Sequence, residues 1–203
     1  MASALGLHFA CTGPAWDMRA GALQREYAAG MPITLYDASV SNYVQALGAA
    51  SHFLEKASKH CSEHGLDLAE LVETRVYPDM LPFRYQIQAM VHHSLKSLEA
   101  LESGVFRPNT SRVDHDYPGL QGYLKETQAA LEQWTPARVN ALEEAKVVFD
   151  GGTMQLPFTG ANFVLSFSLP NFYFHAATAY GILRAKGVPL GKRDFMGRVR
   201  IQR

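Results

Sequence analysis

One histidine of this sequence, His175, has neighbours that are compatible with a catalytic or ligand-binding role. His175 stands among aromatic and small residues in the segment LPNFYFHAATAYGILRAKG. At about 100° per residue, a helix here presents His175 on one face with Asn171 and Thr178, and with Ser168 earlier on the same face. Because that face mixes small, polar and apolar groups, it suits either a ligand pocket or a buried hydrogen-bond network. His175 is therefore either an acid/base group or a packed core side chain.

Two histidine pairs have spacings that invite comparison with metal sites. Successive helical residues diverge by about 100°, so His92 and His93 cannot both point inward, and both are expected at the flank or surface of their helix. His60 and His64 have the i,i+4 spacing of many metal sites, with Cys61 between them. They stand at the end of a predicted helix, where imidazolium would meet the negative end of the helix dipole, and this favours a solvent-facing role.

Three further features have both a chemical and a structural interpretation. Asp37 could be a general base. However, it follows Thr34 in a Thr-x-x-Asp capping box, and this structural role is sufficient to explain an aspartate at this position. Pro170 removes a backbone donor and frees the Ser166 carbonyl, which predicts a kink that bends the helix around the core. The tail KRDFMGRVRIQR has five basic residues against one Asp, and in a neutral chain it is interpreted as a solvated C-terminus rather than an anion site.

The composition excludes several classes of function. The chain has 203 residues, 47% of them hydrophobic, and 19 basic residues balance 19 acidic ones. This predicts one domain with a substantial core, and a neutral charge balance argues against nucleic-acid or anionic-membrane partners. With only two cysteines, Cys11 and Cys61, we expect reduced thiols and a cytoplasmic location. The segment ALGLHFAC is far shorter than the ~20 residues of a membrane span.

The apolar periodicity predicts the elements that position His175. Four long helices are expected: Thr34 to Gly65, 79–102, a third that carries Leu120, Leu124, Leu131 and Trp134, and a last one from Thr159 to Gly187. Short helices are expected at DLAELVET and at 137–145, and a hairpin around Asp150, Gly151 and Gly152. The predicted fold class is all-α, a four-helix bundle with short extra helices and a small β-hairpin before the last long helix, whose ligand site lies between facing helices.

The segments MPITLYDASVSNYVQAL, LPFRYQIQAM and LPFTGANFVLSFSLPNFYFHAATAYGILRAKGVPLGKRDFMG carry a family resemblance. Over residues 31–197 the chain resembles the domain-of-unknown-function family numbered nineteen-ninety-three. The resemblance implies an N-terminal extension over 1–30 outside the fold, a helical bundle domain over 31–197 and a tail over 198–203.

That family is similar to the DinB and YfiT-like helical bundles. Many of those are metal-dependent enzymes or thiol S-transferases with three inward histidines, two of them four residues apart on the last long helix. Carried over to this sequence, His175 would be one member, but Asn171 stands four residues before it and Ala179 four after it. The metal pattern is therefore incomplete, and no metal is expected.

Three functional hypotheses follow. The first is a metal-free bundle, without cofactor, that binds a small apolar or aromatic molecule around His175, Asn171, Thr178 and Ser168, with Tyr36 across the bundle and His175 as acid/base. No Gly-rich phosphate loop, nucleophile elbow, paired zinc cysteines or HExxH motif is present, so whether the protein is an enzyme stays open. The second hypothesis is a metal-dependent thiol transferase or isomerase of the DinB type. The third is a non-catalytic homodimeric interaction protein.

Overall fold

The described part of the chain is mostly helical and carries one small sheet. The computed structural model describes residues 33–109 and 114–201, so the predicted extension over 1–30, together with Cys11, lies outside the described residues. The α-helices of the described part are α1 (Leu35–Ala38), α2 (Val40–His64), α3 (Leu68–Val72), α4 (Phe83–Val91), α5 (Ser97–Ser103), α6 (Tyr117–Leu131), α7 (Pro136–Asn140), α8 (Gly160–Asn162), α9 (Leu169–Ala185) and α10 (Lys192–Met196). The strands are β1 (Val105–Phe106), β2 (Lys146–Asp150) and β3 (Gln155–Thr159).

The first predicted helix is divided near its start. Thr34 and Asp37 form the predicted capping box, in which the Asp37 backbone N–H donates to the Thr34 hydroxyl at 3.1 Å. That box starts only the short α1, since Ser39 leaves helical geometry with φ −106° and ψ −83°. Helix α2 begins one residue later and ends at Gly65, whose φ of +64° is readily adopted by glycine. The predicted end of this helix is confirmed, and its continuity at Ser39 is not.

A π-helical turn divides the second long helix. Helix α4 begins at Phe83, after Pro82, and not at residue 79 as predicted. Leu81 precedes that proline, and a residue before a proline disfavours helical backbone geometry. Residues His92–Lys96 then form a π-turn, in which hydrogen bonds run from residue i to i+5, and α5 follows it. The extra residue in that turn changes which side chains of the helix face the core.

The last long helix carries a second π-turn. Thr159 caps its start, as predicted, and α8 leads into a π-turn over Phe163–Ser168. The Leu169 N–H bonds to the Val164 carbonyl, five residues back, immediately before Pro170. The sequence predicts a kink at Pro170. In the structure, the backbone hydrogen-bond pattern changes to the π-helical one in the turn before this proline.

The predicted hairpin is present, but it belongs to a sheet of three strands. Strands β2 and β3 pair antiparallel, with Val148 opposite Pro157. Strand β1 pairs parallel to β2, with Phe106 opposite Phe149, and gives the order β1-β2-β3. The two-residue strand β1 was not predicted, because so short a run has no recognisable alternation of apolar and polar residues.

The long helices pack on one another around a common core. Helix α4 lies against α9, and α2 lies against α6. Helix α4 also contacts α6, and α2 also contacts α9. The fully buried rings of Tyr43 and Phe172 meet edge to face with centroids 5.0 Å apart. Within the described ranges, no helix combines the length and the apolar character that crossing a bilayer requires.

The C-terminal segment is partly packed, contrary to the interpretation of KRDFMGRVRIQR as a wholly solvated tail. Residues 192–196 form α10, which lies against α2. Asp194 accepts from the Lys56 ammonium at 3.0 Å and lies 3.4 Å from the His52 Nε2 atom. The single acidic residue of the tail therefore ties it to α2, a pairing with a distant element that the sequence alone does not reveal.

Candidate functional site

The imidazoles of His93 and His175 face each other between the second and the last long helix. Their ring centroids are 5.8 Å apart and their planes differ by only 15°. The expectation that His93 lies at the flank or surface was wrong. That expectation assumed a regular α-helix, whereas the π-turn over His92–Lys96 inserts a residue and turns the His93 ring toward the last long helix.

The side chain of Gln86 fixes the tautomer of His175. Its Nε2 atom donates to the Leu81 carbonyl at 2.8 Å, and its Oε1 atom lies 2.8 Å from His175 Nδ1. Only the amide nitrogen can donate to a carbonyl, so the amide oxygen must face the imidazole. His175 therefore donates from Nδ1, which leaves a lone pair on its Nε2 atom.

Burial keeps both imidazoles neutral at physiological pH. It lowers the pKa of His93 to about 3, with further contributions from the nearby His92 and His175 rings. It also lowers the pKa of His175 to about 4, with a smaller contribution from His92. The His92 ring lies edge to face with that of His93, with centroids 5.4 Å apart, and its Nε2 atom donates to the Arg107 carbonyl at 2.8 Å. The site thus presents neutral rings that could accept a proton or a hydrogen bond.

Aromatic side chains surround the two imidazoles. Tyr85 and Phe174 approach His175 edge to face, with centroids 6.0 and 5.2 Å away. Phe106 and Phe167 lie beside His93 at 5.4 and 5.9 Å. Phe174 is 56% exposed, so this group of rings reaches the protein surface. An apolar or aromatic molecule could contact it there and meet a neutral imidazole.

Ser168 is fully buried and links three parts of the fold. Its hydroxyl lies 2.7 Å from the Tyr43 hydroxyl and 2.8 Å from that of Ser97, and it contacts the backbone carbonyl of His93 at 2.5 Å. These bonds join α2, α5 and both π-turns. Ser168 therefore holds the backbone of His93 in place and does not line an open pocket.

The remaining predicted pocket residues form hydrogen bonds within the last long helix or border other clefts. Asn171 donates from its amide to the Phe167 carbonyl at 2.7 Å, and Thr178 donates to the Phe174 carbonyl at 2.7 Å. Thr178 borders a cleft of about 660 Å³ that includes Phe174 but not His175. Tyr36 borders a different cleft, beside α2. Sequence reasoning did not consider Gln86 and misplaced His93, because both lie on a different element from His175 and no spacing within one segment reveals the contact.

The donors present do not fit the three-histidine metal site that the fold family implies. Asn171 is hydrogen bonded to backbone through its amide, and Ala179 has no ligating atom. Within residues 33–109 and 114–201 there is no group of three or more His, Cys, Asp or Glu side chains placed to hold a metal ion. His60 and His64 lie with ring centroids 4.1 Å apart, and His64 is exposed at the end of α2, as expected.

Comparison with known proteins places the chain in a family. The model of the family described as Domain of unknown function (DUF1993) matches residues 35–196. The chain belongs to this family. A search of curated protein sequences found no significant match.

Solved structures with a similar fold are DinB-like proteins. One is a DinB family member from Shewanella denitrificans, 23% identical, with a TM-score of 0.69 over 83% of this chain and 95% of that one. Another is a DinB-like protein from Bacillus subtilis, 16% identical, with a TM-score of 0.50 over 74% of this chain and 95% of that one. At these identities the likeness shows a shared fold, and the resemblance predicted from the sequence is confirmed at that level.

Proposed function

We propose that this protein binds a small apolar or aromatic molecule beside His175, and that the imidazole acts as an acid/base group without a metal. The observation that carries the proposal is the bond between Gln86 Oε1 and His175 Nδ1, 2.8 Å long. An imidazole held by a third group, with its second nitrogen left basic, is the arrangement of a positioned proton acceptor.

With a pKa of about 4, the neutral His175 ring is a weak base and its imidazolium a strong acid, so a proton that Nε2 accepts is readily given back. Nε2 would take a proton from one atom of the bound molecule and give it back at another, so the net change is an isomerisation. Burial disfavours the imidazolium, which limits its lifetime, while Gln86 Oε1 accepts from Nδ1–H in both protonation states. The aromatic rings around the pair would exclude water from the bound molecule.

The packing of the long helices supports this location. Contacts of α4 with α9 and of α2 with α6 fit the four-helix bundle predicted from the sequence. Bundles of this kind build ligand sites from side chains on facing helices, and His93 and His175 face each other between two long helices. Cys61 is a free, buried cysteine, which fits the proposed cytoplasmic location.

A screen of neutral aromatic fragments, such as phenols, aryl ketones and aryl amides, tests the proposal by NMR. At least one fragment is expected to shift the ring signals of His175 and Phe174 with saturation. Replacing His175 with Gln keeps a polar side chain but removes the basic ring nitrogen, and should weaken binding of that fragment roughly tenfold.

His64→Gln is the matched control, since it makes the same substitution at an exposed histidine at the end of α2. Its fragment affinities should equal those of the unaltered protein. The proposal is contradicted if no fragment shifts the His175 signals, or if His175→Gln changes stability alone. The second result is the one that the interaction-protein alternative expects.

A further inference from the structure

A second, larger cleft borders α2 away from His175. It has a volume of about 940 Å³ and lies between α2, α6 and the C-terminal segment. Its accessible apolar surface comes from the half-buried Tyr36 and Val44, whereas the lining residues Val40 and Ala49 are themselves buried. We call it the C-terminal cleft. Its volume is within the range of sites that hold small organic molecules, roughly 300–1,000 Å³.

Three arginines of the C-terminal segment border this cleft. They are Arg193, Arg198 and Arg200. The Nη2 atom of Arg200 donates to Asn42 Oδ1 at 2.8 Å. Arg193 and Arg198 make no side-chain hydrogen bond or ion pair with the described residues, although both are exposed at the cleft. Two guanidinium groups are thus available to a ligand.

The backbone that carries these arginines is fixed against α2. Gly197 has a φ of +62°, and a Cβ built on it would lie 2.8 Å from that of Ala49. Only glycine allows the chain to turn this close to α2. The Gly191 N–H and the Lys56 ammonium both donate to the Asp194 carboxylate, at 2.7 and 3.0 Å. The segment therefore holds a defined position beside the cleft.

The carboxylates at the cleft do not cancel its positive charge. Asp194 is already bound by Lys56 and by the Gly191 N–H, and these bonds lower its pKa. Within the described residues, the other carboxylate that lines the cleft is that of Glu132, at the C-terminal end of α6. Three arginines against these two groups leave an excess of positive charge above an apolar floor.

We infer that the C-terminal cleft binds a small organic anion, with a carboxylate or phosphate head on an apolar body. The planar donors of Arg193 and Arg198 match the paired oxygens of either head. The side chains of Tyr36 and Val44 would cover the body of the ligand. This site is separate from His175, and it gives a use to the basic residues of the tail.

Calorimetric titration of the full chain with octanoate and with phenyl phosphate tests the inference. At least one of the two anions should bind saturably with a stoichiometry near one. Octanamide, which has the same chain as octanoate but no charge, should bind at least roughly tenfold more weakly. Affinity for the bound anion should fall with added salt, because the head is held by exposed charges.

Variants of the arginines locate the site. The double variant Arg193→Gln, Arg198→Gln should weaken the bound anion roughly tenfold or more, while Lys192→Gln should leave the affinity within about twofold. Lys192→Gln is the control, because it removes a positive charge next to Arg193 in α10 at a residue that does not border the cleft. The inference is overturned if neither anion binds, if octanamide binds as well as octanoate, or if the double variant retains full affinity.

Discussion

Acidification from about pH 7 to about pH 4.5 is expected to lower the free energy of unfolding by about 2 kcal/mol for each of His93 and His175. Both rings have folded-state pKa values, about 3 and about 4, below the ordinary 6.5. Over this range the unfolded chain binds protons that the folded chain does not. The stability that these histidines contribute is therefore present above pH 6.5 and is lost as the pH falls toward the folded-state values.

Urea denaturation at several pH values measures this effect. The variant His93→Phe, which keeps a ring in the same aromatic surroundings, should show a clearly shallower loss of stability below about pH 6.5. His64→Gln, at an exposed position, should behave as the unaltered protein does. Equal acid sensitivity of the unaltered protein and His93→Phe would mean that His93 is accessible to protons in the folded state.

Replacing Gly160 with Ala is expected to destabilise the protein by about 3 kcal/mol. Gly160 is buried where α8 begins, and a Cβ built on it would lie 2.1 Å from the Leu142 carbonyl oxygen and 3.1 Å from that of Glu143. Both are main-chain atoms, so no side-chain rotation can relieve the clash. The Ala161 N–H also donates to the Glu143 carbonyl at 2.9 Å, and this bond would be strained or broken.

The matched substitution is Gly181→Ala, within α9. A Cβ at Gly181 meets nothing within 4 Å, so the change should stabilise the protein by about 0.5–1 kcal/mol through higher helix propensity. Chemical denaturation of the two variants should give shifts of opposite sign. If Gly160→Ala unfolded at the same denaturant concentration as Gly181→Ala, α8 would not lie as close to the backbone of residues 142–143 as described.

The features of the fold that were predicted correctly depend on local chemistry. The capping box at Thr34, the glycine stop at Gly65 and the start of the last long helix at Thr159 each involve a few neighbouring residues. A sequence contains that information directly. The π-turn over His92–Lys96 depends instead on tertiary packing, which favours an inserted residue that helical periodicity cannot register.

The candidate site was predictable only in part for the same reason. His175 was identified from the mixed character of its own helix face. Its partners Gln86 and His93 lie on another helix, and the orientation of His93 follows a π-turn. Likewise, Arg193 and Arg198 looked like part of a solvated tail, because their position at a cleft depends on the docking of α10 on α2. Contacts between distant elements cannot be inferred from the spacing of residues in one segment.

NMR spectra of the imidazole nitrogens, assigned by comparison with the His175→Gln variant, test the central claim most directly. The structure requires a proton on His175 Nδ1 and a lone pair on Nε2, because Gln86 Oε1 accepts from Nδ1. We predict this pattern at about pH 7 and no change down to about pH 5.5, since the folded-state pKa is about 4. A proton on Nε2 instead, or half-protonation near pH 6.5, would contradict a neutral His175 held ready to accept a proton.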